Sequence, residues 1–236
     1  MHLLSEEFTY AKAGVDRRLR AESKKALTLL EKTYKFSRFG NMIKLPYGNI
    51  FPIGDNKFLD LVIEGIGTKV LVAQLAEKYD TIGIDGVAMA VNDVIRSGAT
   101  PLAVADNIHA QVSDPKLVEE WMKGIVKGAE EAGCIVPSGE IGDVAELIKG
   151  LSEGKGFDMV FACVGTLSEN EIIYGNNLKP EDVIIGKLTY GSPQDIEDAA
   201  SIILNLRDEL DYEYLNQQAK KRKVYKRFKE LLKNLK

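Results

Sequence analysis

The stretch that decides the fold is Val62-Ile63-Glu64-Gly65-Ile66-Gly67-Thr68-Lys69, followed by Thr81-Ile82-Gly83-Ile84-Asp85-Gly86-Val87-Ala88-Met89-Ala90-Val91-Asn92-Asp93. The first part ends an apolar run over 58–63, which predicts a buried strand, and its glycines predict a turn into a helix over 68–79. In the second part, apolar residues recur with helical spacing from Val87 to Ile95, which predicts an amphipathic helix over 85–97.

Strands and helices alternate on both sides of this stretch. Before it we predict a polar arm over 5–16, a helix over 20–36 with apolar contacts, and short extended pieces over 37–57. After it the pattern predicts strands at 101–105, 134–136 and 159–164 and a helix over 115–132. The fold class is therefore α/β (α+β), a mixed sheet with flanking helices.

The character of the chain changes near Gly186, so we predict a first domain over 1–186 and a helical tail over 187–236. Residues 213–236 carry nine Lys or Arg against two Glu, together with an apolar stripe, which predicts one basic amphipathic helix. The stripe favours a helix packed on the domain with a solvated basic face. The alternative is a surface that binds RNA or an acidic partner.

Composition excludes several classes of protein. The net charge of −4 gives no general attraction to nucleic acid, and no apolar stretch approaches the roughly 20 residues that span a bilayer. The N-terminus shows no signal-peptide pattern, and Cys134 and Cys163 lie in apolar runs, as buried free thiols do. We therefore expect a soluble cytoplasmic protein.

The turn after the first strand carries a possible phosphate site. Gly65, Gly67 and Thr68 allow backbone N–H groups to approach phosphate oxygens, and Lys69 adds a cation. The spacing is not that of a Walker motif. The alternative is an ordinary strand-to-helix turn with a surface lysine.

Four carboxylates follow strand ends or helix starts near this turn: Glu64, Asp85, Asp93 and Asp106. Magnesium prefers oxygen ligands, and a nucleotide site supplies a few carboxylates beside the phosphates, so we predict a magnesium site here. Each has an ordinary alternative: Asp85 as an N-cap, Asp93 with Asn92 as a solvated helix face, and Asp106 as a turn residue. Glu140, in the turn Ser138–Asp143, can reach the same site or belong to a plain loop.

These residues resemble the N-terminal half of the phosphoribosylformylglycinamidine cyclo-ligase (aminoimidazole ribonucleotide synthetase) family. Order and spacing agree over residues 8–186, and the matching stretches are Tyr10–Asp16, Gly65–Lys69, Asp80–Asp93, Gly98–Leu102 and Gly139-Glu140. The long block from Asp80 to Asp93 is the most specific of them.

The resemblance implies an α/β first domain whose sheet pairs with that of a second copy in a homodimer, and a groove that binds ATP and magnesium. The implied enzyme is a ligase of purine biosynthesis that closes the ring of formylglycinamidine ribonucleotide to give aminoimidazole ribonucleotide. ATP phosphorylates the formyl amide oxygen, and the amidine nitrogen then attacks. Carried over, Lys69 and Glu64 are catalytic. The implied nucleotide-binding residues are Gly65, Gly67, Thr68, Lys69, Asn92, Asp106 and Glu140, and the implied magnesium ligands are Glu64, Asp85, Asp93 and Asp106.

The chain also departs from the family pattern. The family usually carries aspartate at the position of Glu64 and Gly-Gly-Glu-Thr-Ala-Glu at Ser138–Asp143. A second family domain, which opens with a histidine-bearing substrate loop, is replaced here by 187–236. We therefore keep two hypotheses: a cyclo-ligase, alone or with a partner subunit that supplies the second domain, and a non-catalytic or partner-dependent nucleotide-binding module.

Overall fold

A computed structural model describes residues 17–235, with the side chains of 19–235. The chain divides into two compact units after Ile173. The boundary predicted at Gly186 falls inside a helix, Pro180–Tyr190, so Tyr174–Gly186 belongs with the helical unit and not with the sheet. The predicted polar arm 5–16 and the motif Tyr10–Asp16 lie outside the described residues.

The first unit is built on a six-stranded mixed sheet, as predicted. Its strands are β1 (Ile43–Leu45), β2 (Gly48–Gly54), β3 (Lys57–Gly65), β4 (Thr100–Ala110), β5 (Ile135–Asp143) and β6 (Phe157–Ser168). Their order across the sheet is β1-β2-β3-β6-β4-β5, and β4 with β5 is the parallel pair among antiparallel neighbours. Each predicted strand is present and extends further than its apolar run.

The helices of the first unit are α1 (Arg17–Lys24), α2 (Lys69–Ala76), α3 (Ile82–Ile95) and α4 (Pro115–Ala132). Helix α4 has the predicted bounds, and its N-cap Asp114 accepts from the N–H groups of Lys116 and Leu117. Helix α3 begins earlier than predicted, with Thr81 at its N-cap. Asp85 therefore lies in the first turn of α3 and is not the cap.

The predicted helix over 20–36 is only partly right. It continues α1 as a 3₁₀ helix, Lys25–Phe36, that has no buried residue, so its expected apolar contacts are absent. Polar contacts hold its end to the β1–β2 hairpin: the Asn49 amide donates to the Tyr34 hydroxyl at 3.0 Å, and Lys44 pairs with Glu31 at 2.7 Å.

The core lies between one face of the sheet and helices α3 and α4. Alternate residues of β6 from Phe157 to Leu167 are buried on that face, as the period of two requires. Helix α3 lies so close to β6 that a Cβ on Gly86 would be 2.0 Å from the Phe161 ring. On its other side, a Cβ on Gly83 would be 2.4 Å from a backbone nitrogen of α4. Glycines therefore let α3 pack tightly between the sheet and α4.

Among residues 17–235, helices α3 and α4 cover one face of the sheet, and the opposite face exposes apolar side chains. Leu61 and Ile63 of β3 are 60% and 71% exposed there, and Val160, Ala162 and Val164 of the adjacent β6 are half-buried. We call this surface the open sheet face. The apolar run of β3 predicts a strand buried on both faces, or on one face and against a partner subunit. Burial on both faces within the chain is wrong, because Leu61 and Ile63 are exposed.

Both cysteines are free thiols, as predicted. Cys163 is fully buried on the helix-covered face of β6, and burial raises the pKa of its thiol to about 11. Cys134, just before β5, is half-buried. A protonated thiol is a poor nucleophile, so Cys163 serves packing.

The second unit consists of α5 (Pro180–Tyr190), α6 (Pro193–Asn205), α7 (Tyr212–Lys221) and α8 (Tyr225–Asn234). The single basic helix predicted over 213–236 is wrong, because the chain breaks between α7 and α8 where Lys223 has a φ of 62°. The predicted apolar stripe is real: Leu215, Phe228 and Leu231 are buried in this unit's own core. Within residues 17–235, no helix combines the length and the apolar character needed to cross a bilayer.

We predict that Gly86→Ala destabilises the first unit. The added methyl group would collide with Phe161, and overpacking of this kind costs about 1–3 kcal/mol. The buried Trp121, the one tryptophan of the chain, reports unfolding of this unit by fluorescence. The control is Gly142→Ala, where a Cβ meets no atom within 4 Å. Equal midpoints for both variants would contradict the tight packing of α3 on β6.

Candidate functional site

The candidate site is a cleft of about 230 Å³ in the first unit, between strand β3, the β1–β2 turn and the end of α3. Its polar lining comprises Tyr47, Asn49, Asp60, Glu64, Asp93, Arg96 and Ser97. Asp60, Val62 and Glu64 alternate along β3, so their side chains lie on the helix-covered face. Three side chains reach the cleft from the C-terminal end of α3. Asp93 belongs to its last turn, and Arg96 and Ser97 directly follow the helix.

The carboxyl groups of Glu64 and Asp93 both line the cleft and interact with each other. A hydrogen bond with Asp93 raises the pKa of Glu64, and burial and the charge of Asp93 add to that effect. Arg96 opposes the shift and pairs with Asp93 at 2.7 Å. A neighbouring carboxyl group and burial both disfavour the charged form of Glu64, and this is why the pKa of Glu64 lies above its usual range.

Asp60 adds a third carboxylate and is only 6% exposed. Burial raises the pKa of Asp60, while hydrogen bonding with Ser97 and the charge of Arg96 act in the opposite direction. The cleft therefore contains three carboxyl groups and one arginine.

A magnesium ion fits the Glu64–Asp93 pair. Magnesium in nucleotide sites is held by one or two carboxylates, with waters and phosphates as its other ligands. The raised pKa of Glu64 reflects a pair of like charges that a divalent cation would neutralise. Within residues 17–235, however, no three His, Cys, Asp or Glu side chains surround a common metal position. The four predicted ligands therefore do not converge, and only Glu64 and Asp93 come together.

Asp85 lies apart from this pair, in contact with Lys69. The Lys69 Nζ atom is 3.1 Å from the Asp85 carboxylate, and both side chains are about half exposed. The structure therefore joins the predicted phosphate lysine to a predicted metal ligand.

Asp106 lies across the sheet from Glu64. The two residues flank Phe161 in one cross-strand row, Glu64–Phe161–Asp106, with Gly139 next on β5. The backbones of Glu64 and Asp106 are two strand spacings apart, which is about 10 Å. Burial raises the pKa of Asp106. A Cβ on Gly139 would lie 2.6 Å from the Asp106 carboxylate, so a side chain there would displace the carboxylate.

The glycine turn leaves its backbone accessible. Gly67 has a φ of 66°, and a Cβ on either Gly65 or Gly67 would meet no atom within 4 Å. Thr68 occupies the N-cap of α2 without a side-chain cap hydrogen bond, and Lys69 begins the helix. Open backbone at a helix start suits a close approach by an anionic group.

The remaining predicted residues lie elsewhere. Asn92 is exposed on α3. Glu140 pairs in register with Asn107 on β4, one residue on from Asp106 and Gly139, so it lies on the open sheet face. The cleft and Glu140 are therefore on opposite faces of the sheet.

Five polar residues of the cleft were not predicted from the sequence: Asp60, Arg96, Ser97, Tyr47 and Asn49. Two of them carried a usable signal. Asp60 interrupts an apolar run at a spacing of four from Glu64, which is the same face of a strand. Arg96 stands three residues after Asp93, which is the same face of a helix.

Comparisons with known proteins agree with this architecture. Residues 48–167 match the family model "AIR synthase related protein, N-terminal domain". The phosphoribosylformylglycinamidine cyclo-ligases of Pyrococcus horikoshii and Methanosarcina barkeri are 35% identical over 211 residues and 34% identical over 185 residues. These alignments cover 87% and 77% of this chain but 61% and 53% of the relatives, so the chain spans little more than half of their length.

Among solved structures, T. maritima PurL complexed with ADP aligns with a TM-score of 0.45 and 16% identity, over 60% of this chain and 22% of PurL. AaThiL complexed with AMPPCP and TMP aligns with a TM-score of 0.43 and 16% identity, over 71% of this chain and 55% of ThiL. These overlaps are low, and the family assignment rests on the sequence matches.

We predict that Asp93→Asn lowers the pKa of Glu64, because an amide can donate to the Glu64 carboxylate and carries no charge. In the wild type, ionisation of Glu64 reduces the free energy of unfolding as the pH rises from the usual glutamate range through the raised pKa. The variant loses this penalty. A carbon-detected NMR titration of Glu64 measures the shift, and Asp85→Asn is the control. An unchanged Glu64 pKa in Asp93→Asn would contradict the contact.

Proposed function

The chain belongs to the AIR synthase related protein family through its N-terminal domain, and we propose from this that it is the nucleotide-binding half of an ATP-dependent cyclo-ligase. The reaction is the ring closure of formylglycinamidine ribonucleotide to aminoimidazole ribonucleotide in purine biosynthesis. We place it in the cytoplasm, where free thiols such as Cys134 and Cys163 stay reduced.

The observation that carries the proposal is the interaction of Glu64 with Asp93 in one cleft, with the open glycine turn following directly along the chain. A pair of carboxylates attracts a divalent cation, and an exposed backbone turn with Lys69 attracts phosphate oxygens. The two features are adjacent in the chain, because Gly65, the first glycine of the turn, directly follows Glu64. Few sites other than a metal–polyphosphate site need both.

The chemistry assigns roles to these residues. ATP transfers its γ-phosphoryl group to the formyl amide oxygen, the amidine nitrogen attacks the activated carbon, and phosphate leaves as the ring closes. Glu64 and Asp93 would hold magnesium, which neutralises charge on the phosphates when it is bound. Lys69 and the N–H groups of Gly67 and Thr68 hold phosphate oxygens as charge moves during transfer. Asp85 keeps Lys69 in position, and Asp106 and Asn92 contact the nucleotide.

The substrate site needs more than this chain. The alignments leave 39% and 47% of the two curated relatives unmatched. We propose that a second domain, from a further segment or a partner subunit, binds the ribonucleotide. The alternative, a nucleotide-binding module without catalysis, differs from this only in whether ADP is ever formed.

We also propose that two copies form a dimer through the open sheet face. Leu61 and Ile63 project from β3 beside the half-buried valines and alanine of β6, which makes a contiguous apolar surface on a rigid sheet. Surfaces of this type mark interfaces, and a symmetric dimer places the same patch on both sides. Glu140, on the same face, would then lie near the dimer seam.

We predict that magnesium-ATP raises the melting temperature of the first unit and that Asp93→Asn abolishes the rise. At 100 times its Kd, a ligand stabilises by about 2.7 kcal/mol, a shift of several degrees. Trp121 fluorescence measures the transition. Asp80→Asn is the control, because Asp80 forms a surface pair with Lys78 at 2.7 Å outside the cleft. If the wild type shows no shift at millimolar ATP, the nucleotide site is refuted.

Catalysis is tested by a coupled assay for ADP release with formylglycinamidine ribonucleotide. We expect ADP only after addition of a protein that supplies the second domain, and loss of that activity in Lys69→Ala. ADP from the chain alone would refute the need for a second domain. No ADP under any condition, with ATP binding intact, would favour the non-catalytic module.

We predict that Ile63→Glu converts the dimer to a monomer, because it places two charges in an apolar interface. Sedimentation velocity measures the state. The matched control is Leu75→Glu on α2, which is 76% exposed and lies outside the sheet. A wild type that sediments as a monomer would contradict the dimer.

A further inference from the structure

Arg96 is a cation that lines the cleft. Its guanidinium lies 2.7 Å from the Asp93 carboxylate and 5.3 Å from the centre of the Tyr47 ring. Its Nε also donates to the Asp93 carbonyl at 3.2 Å. The group is therefore fixed between the last turn of α3 and the β1–β2 turn, and about a third of it is exposed.

Within the described part of the chain, Arg96 is the one cationic residue that lines the cleft, against the carboxyl groups of Asp60, Glu64 and Asp93. It acts electrostatically on all three. In the protein without ligand, Arg96 therefore supplies the neutralising charge that the carboxylates require.

A bound magnesium ion would change this balance between the charge of Arg96 and the charges of the carboxylates. An ion that takes an oxygen of Asp93 competes with the guanidinium for the same acceptor. A guanidinium has five donors in a rigid plane and needs an anionic acceptor when its carboxylate is taken. The ligand that arrives with magnesium carries such acceptors, since phosphate groups bind guanidinium in a bidentate manner.

We propose that Arg96 binds a phosphate of the nucleotide and is transferred to it from Asp93 when magnesium enters the site. Tyr47 keeps the guanidinium at the mouth of the cleft during the exchange by stacking on it. The inference rests on the proposed function and names a residue that adjusts the affinity of this site for metal alone and for metal with nucleotide.

Loss of Arg96 should therefore change the affinity for a metal ion alone and the affinity for metal-nucleotide in opposite directions. Without Arg96 the carboxylates lose a competing cation, so they bind a metal ion alone more tightly. Without Arg96 the nucleotide loses a charge-assisted hydrogen bond, so metal-nucleotide binds more weakly. If Arg96 only tied α3 to the β1–β2 turn, its loss would loosen the cleft and weaken both.

The test compares the wild type with Arg96→Gln. Binding of Mn²⁺ alone is measured by electron paramagnetic resonance, and binding of magnesium-ATP by calorimetry. We expect Arg96→Gln to bind Mn²⁺ about threefold more tightly, as loss of a partly exposed ion pair allows, and magnesium-ATP about tenfold more weakly. Arg96→Lys should bind magnesium-ATP more tightly than Arg96→Gln but more weakly than the wild type, because lysine retains the charge without the planar donors.

Lys78→Gln is the matched control, because it removes a cation that pairs with Asp80 at the same distance of 2.7 Å outside the cleft. We expect it to change neither affinity. If both ligands bind the wild type and Arg96→Gln equally, or if both bind the variant more weakly, the role of Arg96 is refuted while the proposed function stands. If the wild type binds neither ligand, both are refuted.

Discussion

The close contact between Gly86 of α3 and Phe161 of β6 is the constraint on which the rest of the structure depends. Any side chain at position 86 would lift the helix from the sheet, because the space is already filled by the ring. Gly83 imposes the same condition against α4 on the other side. These contacts fix the orientation of α3 and its distance from the sheet, and they bring its last turn close to the end of β3.

That place is the cleft, and its chemistry follows from the packing. Strand alternation directs Asp60 and Glu64 toward the helix, and helical spacing brings Asp93 and Arg96 to the same side. The carboxylates crowd together until the pKa of Glu64 rises, and one guanidinium offsets them only in part. Stability alone does not call for such a concentration of charge, and this is why we propose that the cleft receives a cation and an anion together.

Much of this was predictable from the sequence. The helical spacing of apolar residues predicts α4 with its observed bounds, and apolar spacing with glycines predicts the order of β3, turn and α3. The four carboxylates do not converge as predicted, and the sequence could not show this because it depends on strand order. Strand β6 comes last in sequence yet lies between β3 and β4, and so separates Glu64 from Asp106. The division of the basic tail into α7 and α8 could not be predicted either, because no glycine or proline marks the break in the sequence.

Paramagnetic broadening tests the central claim most directly, because it locates the metal with its nucleotide. A ¹⁵N-labelled chain is titrated with Mn²⁺ and a non-hydrolysable ATP analogue, and amide signals are followed by NMR. The account predicts that the signals of Glu64, Gly65 and Asp93 broaden first, and that Mn²⁺ with the analogue has no such effect on Glu64→Gln. Broadening centred on Asp106 and Glu140, with Glu64 and Asp93 unaffected, would contradict it.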